Sequence, residues 1–282
     1  MAFLIVANPG AGSGDDTAER TQKDLDDARI LWLEEDVDLG AEIKGALARR
    51  DVVVACGGDG TVNAVAQHVA GTDGVMGVIP GGTLNHFARD LGVRELDVAL
   101  ETLKSGSERR VDVARINDRV ALNTIAIGIY PELVQERDAR ESYLGRALAT
   151  AVGVTRALRI SEPLRGTITA DGDPRGLDAR AVFVGVNRFS TGIGSLGSRE
   201  RLDEGVLDLR LLLTRDGLRA RSVAAWRSVR NRPSRALQHD AAELTIKLTN
   251  GARPFAIDGE ECPDTDELHV KIEPGALRVL AP

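Results

Sequence analysis

The first hundred residues repeat one pattern, in which a short apolar run is followed by a glycine-rich turn and then by apolar residues at helical spacing. The run 52–56 shows it most clearly, because Val-Val-Val-Ala-Cys leads into Gly57, and Val62, Val65 and Val69 then recur three or four positions apart. Continuous apolar runs are typical of parallel strands that are buried on both faces, and the later spacing is that of a helix. The pattern therefore predicts strands that alternate with helices.

Four strands and the helices that follow them are predicted before residue 110. We place the strands at 3–7, 29–33, 52–56 and 74–79, and the helices at 15–28, 39–49, from 61 onward, 84–91 and 97–104. Such an alternation is typical of a parallel sheet with helices on both faces. We therefore expect an α/β domain at the N-terminal end.

Strands dominate the pattern after residue 110. We place them at 111–116, 120–127, 165–169, 180–186, 206–213, 244–248, 253–257, 267–272 and 276–280, with helices at 137–159 and 219–230. Turn sequences such as Glu273-Pro274-Gly275 separate the strands. We therefore predict a C-terminal antiparallel β-sandwich and two domains, residues 1–112 and 113–282.

Three of the first four strands end in turns rich in glycine, at residues 8–14, 57–61 and 80–83. The carboxyl ends of parallel strands share one edge of a sheet, where ligands bind. Glycine lets backbone N–H groups approach a ligand closely, and a helix N-terminus favours an anion. The three turns together predict one anion-binding site.

The turn 57–61 also contains Asp59, and a carboxylate repels phosphate unless a cation lies between them. This suggests Mg²⁺ bound together with a nucleotide. Thr61 stands where it could cap the following helix or touch a phosphate. The alternative is an ordinary strand-to-helix turn with a capping Asp, although one turn seldom needs three glycines.

Composition narrows the class of protein further. The net charge of −7 argues against non-specific nucleic-acid binding. Cys56 and Cys262 form no C-x-x-C pair, which favours a reducing compartment, and Cys56 is interpreted as a small core residue. No run approaches about 18 apolar residues, and the N-terminus lacks the basic start of a signal peptide. We therefore expect a cytoplasmic protein.

The chain resembles the diacylglycerol kinase catalytic-domain family, which includes bacterial lipid kinases and the sphingosine and ceramide kinases. Four segments carry the resemblance, in this order: Asn8-Pro9, Gly57–Asn63, Pro80–Arg89 and Asp258-Gly259-Glu260. The second segment is shared with NAD kinases and 6-phosphofructokinases, whose nucleotide domains are similar. The third segment, with Phe87-Ala88-Arg89, is more specific.

The resemblance implies ATP-dependent phosphorylation of a lipid hydroxyl with Mg²⁺, with residues 1–112 binding the nucleotide and 113–282 the lipid acceptor. The expected nucleotide contacts are Asn8, Pro9, Gly10, Gly12, Gly57, Gly58, Asp59, Gly60, Thr61, Val62, Asn63, Gly81, Gly82, Thr83 and Asn85.

The family also suggests the catalytic residues. Asp258 would take the proton of the acceptor hydroxyl, with Glu260 near the phosphates or the metal. Asp59 would hold Mg²⁺, although some members are thought to use this Asp as the base. Without the resemblance, Asp258-Gly259-Glu260 is a plain β-turn.

The sequence departs from the family pattern at three places. His86 stands where an Asp is common, and we interpret it as a polar helix residue rather than a catalytic one. Glu34-Glu35-Asp36 stands near the position of a nucleotide-contacting Thr. Glu204 lies in a stretch, residues 202–208, that carries a structural cation in some members, where an Asp is usual.

Two other functions remain open: a kinase of a soluble acceptor, as in the NAD kinases, and a nucleotide-binding regulator without turnover. Phe87–Arg89 and the late Asp258–Glu260 segment favour a lipid kinase over the first. The presence of both Asp59 and Asp258 argues against the second.

A lipid kinase must reach a membrane surface. The segment Arg219–Arg235 contains six Arg and no acidic residue around Trp226, which suits peripheral contact with an anionic bilayer at the inner face of the cell membrane. The alternative is a solvated helix face. No pattern in the sequence predicts the oligomeric state.

Overall fold

The apolar runs of the sequence form buried strands in a computed structural model that describes residues 2–9, 14–34, 36–128, 162–190, 198–214 and 236–282. The chain divides into two compact units. Unit 1 comprises Met1–Asn123, Val186–Gly205 and Ile272–Pro282, and unit 2 comprises Thr124–Gly185 and Val206–Lys271. The predicted helices at 137–159 and 219–230 and the Arg219–Arg235 segment lie outside the described residues.

The two units are not continuous in sequence, and in this they differ from a division at residue 112. The chain leaves unit 1 after Asn123, returns for Val186–Gly205, and returns again for its last residues. No single boundary in the sequence separates such units. The functions that we assign to residues 1–112 and 113–282 stay predictions.

Unit 1 contains all five described helices and seven strands or parts of strands. Their bounds are β1 Phe3–Ala7, α1 Gly14–Asp24, β2 Ala28–Trp32, α2 Leu39–Ala48, β3 Val52–Gly57, α3 Asp59–Val69, β4 Val75–Pro80, α4 His86–Asp90, α5 Leu96–Ser105, β5 Ser107–Ile116, β6 Arg119–Ala121 and the end of β15 Glu267–Ala281. None of these five helices has the length and apolar content that a bilayer crossing needs.

The parallel strands of unit 1 lie in the order β2-β1-β3-β4-β15. The chain moves one way from β1 to β2 and the other way from β2 to β3 and β4. Because such crossovers are right-handed, α1 lies on one face of the sheet and α2 and α3 on the other. In agreement, α1 packs against α5, and α2 against α3. The direction changes between β1 and β3, where an open α/β sheet offers a crevice for ligands.

Unit 2 is rich in antiparallel strands, as predicted. Its strands are β7 Thr124–Ile127, β8 Leu164–Ala170, β9 Asp173–Val186, β10 Leu207–Leu213, β11 Ala236–Ala241, β12 Glu243–Leu248, β13 Arg253–Ile257, β14 Glu260–Thr265 and the start of β15. They lie in the order β14-β13-β7-β9-β8-β12-β15, each antiparallel to its neighbours, and β10 pairs with β9 and β11.

Several strand predictions differ from the structure, and two of the differences have a visible cause. Residues 120–127 form two strands, because the chain bends at Leu122 and Asn123, where the Leu122 carbonyl accepts a hydrogen bond from the Arg199 side chain. Glu273-Pro274-Gly275 does not end a strand, and β15 continues through it. The buried carboxylate of Asp112 explains this, because it accepts the Gly275 N–H at 2.8 Å and holds the chain in place.

We predict that Gly166→Ala unfolds unit 2 at much lower denaturant concentration than wild type. A Cβ at Gly166 would lie 1.8 Å from the Lys247 carbonyl oxygen on the neighbouring strand β12, so the pairing of β8 with β12 must break. The expected loss is about 3 kcal/mol in the free energy of unfolding. Gly176→Ala is the matched control, because a Cβ there meets nothing within 4 Å. Equal midpoints for the two variants would contradict the register of β8 and β12.

Candidate functional site

The turn between β3 and α3 leads into a helix N-terminus that none of the described side chains caps. Every residue of β3 is buried, and the strand leads into Gly58, the N-cap of α3, with φ −82° and ψ −174°. No side-chain oxygen from the described residues accepts a hydrogen bond as a cap here. The first N–H groups of α3 are therefore available to an anion, which the helix dipole also favours.

Thr61 is buried and is the third residue of α3, so the prediction that it could cap this helix is wrong. Its hydroxyl instead lies over Gly57, where a Cβ would come within 2.5 Å of Thr61 Oγ1. Gly57 therefore leaves room for the Thr61 side chain. The predicted contact of Thr61 with a phosphate stays a prediction.

The turns after β3 and β4 touch backbone to backbone. The Gly81 N–H donates to the Gly57 carbonyl at 2.9 Å. A Cβ at Gly82 would lie 2.5 Å from the Gly58 Cα, and one at Gly81 would lie 3.1 Å from the Gly57 Cα. These glycines are required because two backbones occupy the space of side chains.

The turn that follows β1 starts at the same edge of the sheet. Ala7 pairs with Cys56, so Asn8 follows β1 beside the start of the Gly57 turn, and Asn8 and Pro9 are exposed. Gly10 and Gly12 lie outside the described residues, and their expected nucleotide contacts stay predictions.

The turn 81–85 closes on itself through Asn85. Asn85 adopts a left-handed conformation with φ 48° and ψ 47°. Its Oδ1 accepts the Gly82 N–H at 2.9 Å, and its Nδ2 donates to the Gly82 carbonyl at 2.7 Å. Thr83 and Leu84 lie exposed at the tip. Asn85 therefore fixes the shape of the turn.

Asp59 joins this turn to the helix that follows it. Its Oδ1 accepts the Phe87 N–H at 3.3 Å and so holds the first turn of α4. The described residues contain no cluster of three or more possible metal ligands. Mg²⁺ bound together with a nucleotide needs only one or two carboxylates, since phosphates and water supply the rest. A lone carboxylate beside an anion-binding helix N-terminus fits that requirement.

Two predicted nucleotide-binding residues of α3 face the interior of unit 1. Val62 is buried in the core. The Asn63 side chain donates to the Val120 carbonyl at 3.0 Å and accepts from Gln67 Nε2 at 2.7 Å, which ties α3 to β6. The structure gives both residues a packing role, and their contact with a nucleotide stays a prediction.

Two further residues flank these turns. Burial raises the pKa of the Cys56 thiol to about 12, so Cys56 is neutral at physiological pH and acts as a core residue, as the sequence indicates. His86 is half-buried at the start of α4. The role of His86 stays open.

Asp258 occupies a two-residue hairpin turn in unit 2. Ile257 pairs with Glu260 across the turn, and Asp258 and Gly259 have φ values of 50° and 101°. Such values are typical of an Asp-Gly hairpin turn. The Thr124 N–H donates to Asp258 Oδ1 at 2.8 Å, and the Asp258 N–H donates to the Thr124 carbonyl at 2.8 Å. The carboxylate is therefore held in a fixed position, and Glu260 is exposed beside it.

Glu204 is neutralised by an arginine that the sequence did not single out. Its Oε1 lies 2.8 Å from Arg188 Nη1, and its Oε2 accepts the Arg188 N–H at 3.0 Å. Both oxygens are thus in use. Arg188 thus supplies positive charge to Glu204, and the predicted cation at Glu204 stays a prediction.

The resemblance noted in the sequence is confirmed by comparison with known proteins. Residues 2–116 match the profile of the family described as "Diacylglycerol kinase catalytic domain". This match includes β1 to β5 and all three glycine-rich turns.

Two named relatives match a larger part of the chain than this family profile does. The chain is 30% identical over 173 residues to a diacylglycerol kinase of Bacillus subtilis (strain 168). The alignment covers 60% of this chain and 57% of the relative. The chain is 28% identical over 239 residues to the protein named "Probable lipid kinase YegS" of Salmonella newport (strain SL254), which covers 82% of this chain and 78% of the relative.

A solved structure shares the fold over the whole chain. The crystal structure of a diacylglycerol kinase from Bacillus anthracis str. Sterne superimposes with a TM-score of 0.70 at 22% identity, and covers 100% of this chain and 97% of that one. This likeness confirms the predicted combination of a parallel α/β part and an antiparallel, strand-rich part.

We predict that Gly82→Ala destabilises unit 1 by about 2 kcal/mol. The added Cβ would overlap the Gly58 Cα, and backbone atoms cannot move aside as a flexible side chain can. Gly45→Ala within α2 is the control, because its Cβ meets only the Arg49 side chain, at 3.6 Å, and alanine favours a helix by about 1 kcal/mol. Urea unfolding would measure both. Equal stabilities would contradict the contact between the two turns.

Proposed function

We propose that the protein is an ATP-dependent lipid kinase, which transfers the γ-phosphoryl group of ATP to the hydroxyl of a diacylglycerol-like lipid with the help of Mg²⁺. The observation that carries this proposal is the pair of glycine turns, packed backbone to backbone beside the uncapped N-terminus of α3. Phosphoryl transfer needs little covalent chemistry from the protein, and depends instead on positioned phosphates and stabilised charge.

In unit 1, the first N–H groups of α3 and the glycine turns would bind the phosphates. Mg²⁺, when bound with the nucleotide, neutralises charge on the phosphates. The carboxylate of Asp59 is the group that would hold this ion or its water, since it stands at the first position of α3. Asn8, Pro9 and Thr83 are exposed and would border the nucleotide.

In unit 2, Asp258 would accept the proton of the lipid hydroxyl. A general base must be oriented toward the proton that it takes. The hydrogen bond from Thr124 fixes one carboxylate oxygen and so orients the group. Glu260 would act near the phosphates or the metal, and Asp59 is the alternative base.

Two observations support a lipid as the acceptor: the names of the relatives, and the segment Pro80–Arg89, which resembles the lipid kinases more specifically than the other segments do. We propose a cytoplasmic protein that meets its lipid at a membrane surface, and the Arg219–Arg235 segment is the proposed contact. Two outcomes would replace this proposal: phosphorylation of a soluble acceptor such as NAD, or nucleotide binding without turnover.

We expect the protein, incubated with γ-labelled ATP, Mg²⁺ and a panel of acceptors, to transfer label to a lipid hydroxyl. The panel contains diacylglycerol, ceramide and sphingosine in mixed micelles, and NAD in solution. Label only in NAD would replace the lipid kinase with a kinase of a soluble acceptor. ATP binding with no labelled product would favour a regulator.

We predict that Asp258→Asn lowers kcat at least about 100-fold and leaves the affinity for Mg-ATP unchanged. Asparagine keeps the Oδ1 that accepts the Thr124 N–H and tolerates the positive φ, so the hairpin is preserved. Only the capacity to take a proton is lost. Activity near that of the wild type would contradict Asp258 as the general base and favour Asp59 instead.

We predict that Asp59→Asn and Asp59→Ala both weaken Mg-ATP binding, but differ in stability. Asparagine keeps an acceptor for the Phe87 N–H and removes only the charge. Alanine also removes the acceptor, which costs about 1 kcal/mol of stability. Titration calorimetry and thermal unfolding separate these effects. Near-normal Mg-ATP binding in both variants would show that Asp59 has only a structural role in the turn.

A further inference from the structure

Arg199 is buried in unit 1 and donates hydrogen bonds to four residues there. Its side chain is 0% exposed, and its partner Asp90 is 6% exposed. Arg199 Nε donates to Asp90 Oδ2 at 2.7 Å, and the Arg199 backbone N–H donates to Asp90 Oδ1 at 3.4 Å. The guanidinium also lies over the Phe189 ring, 5.1 Å from its centroid.

The other guanidinium nitrogens join two further segments of the chain. Nη1 donates to the Leu122 carbonyl at 2.6 Å and to the Val186 carbonyl at 3.0 Å. Nη2 donates to Asn123 Oδ1 at 2.6 Å. Arg199 thus fastens the bend between β6 and β7 and the end of β9 to Asp90, the last residue of α4.

Helix α4 has only five residues, His86–Asp90. A helix of this length has no stability of its own, so its position depends on tertiary contacts. Asp59 holds its first turn through the Phe87 N–H, and Arg199 holds its last residue. The two ends of α4 are therefore fixed by two carboxylates.

The turn 81–85 precedes α4 directly and packs against the turn that begins α3. Gly82 already lies so close to Gly58 that a Cβ between them would overlap. A shift of α4 must therefore move Asn85 and the Gly82 N–H relative to α3. In phosphoryl transfer such a misplacement is costly, because catalysis consists mainly of positioning.

We infer that Arg199 is a positioning residue for the nucleotide site, which acts through Asp90 and α4 on the turn 81–85. This inference rests on the proposed function. Arginine is required because its planar fork reaches three acceptors besides Asp90, and lysine offers a single nitrogen. Arg199 touches neither substrate nor reacting atoms in this scheme.

The first test is Arg199→Lys, which keeps the charge opposite Asp90 and loses the contacts with Leu122, Val186 and Asn123. We expect the KM for Mg-ATP to rise about tenfold, with the KM for the lipid unchanged. Assays run below the unfolding temperature of the variant, so that a loss of folded protein does not contribute.

The second test is the double variant Asp90→Asn with Arg199→Gln. It removes both charges together, because a lone buried charge is strongly destabilising. We expect it to fold and still to show the raised KM for Mg-ATP. If both variants lower the unfolding temperature but keep the wild-type KM, Arg199 is only structural and the inference is overturned.

Arg115→Lys is the matched control. Arg115 forms a two-point ion pair with Glu273, at 3.0 Å and 2.9 Å, which joins β5 to β15 within unit 1. It has no contact with α4 among these bonds. We expect a change in stability without a change in either KM, and a raised KM for Mg-ATP here would overturn the specific role of Arg199.

The dissociation constant for Mg-ATP, measured by calorimetry, separates this inference from the proposed function. If the wild type binds Mg-ATP but labels no acceptor, the lipid kinase proposal fails. A dissociation constant for Mg-ATP that is about tenfold larger in Arg199→Lys than in wild type would then still support the inference about Arg199. If the wild type labels a lipid and Arg199→Lys binds Mg-ATP equally well, only the inference about Arg199 fails.

Discussion

The backbones of two turns are in contact where Gly57 and Gly58 face Gly81 and Gly82. The arrangement of unit 1 permits this contact. The strands β3 and β4 are neighbours in register, so their ends reach the same edge together. The contact excludes any Cβ, and no side chain among the described residues caps the N-terminus of α3 beside it. Helix α4 follows the second of these turns; Asp59 holds its first turn, and Arg199 holds its last residue, Asp90. An anion-binding edge therefore depends on a contact that only glycine permits.

The sequence predicted best those elements that local apolar pattern determines. β1 and β13 match their predicted bounds, β3 is one residue longer than predicted, and β2 and β4 are each shifted by one residue. Prediction failed where the pairing of a polar segment or a distant side chain decides. β14 has a polar sequence, Glu-Glu-Cys-Pro-Asp-Thr, and is a strand because the Asp258-Gly259 hairpin pairs it with β13. The break at Leu122 and the continuity of β15 depend on Arg199 and Asp112, which no local pattern connects to them.

The candidate site shows the same division. The glycine turns and Asp59 could be found from sequence, because glycines and a carboxylate at strand ends form a recognisable local signal. Arg188 and Arg199 could not, because each acts through partners far along the chain and the sequence is rich in arginine. At Asp258 the plain turn and the functional interpretation agree, since the hairpin geometry itself directs the carboxylate toward the Thr124 N–H.

The late arrival of β15 bears on how the chain folds during synthesis. Strand β4 pairs on one side with β3 and on the other with Arg278 and Val279 of β15. The first 123 residues of unit 1 thus leave the ribosome long before the strand that covers β4. Until then β4 presents an open apolar edge, and such edges pair readily with other chains. Chaperone dependence and aggregation of the nascent chain should therefore concentrate in this interval.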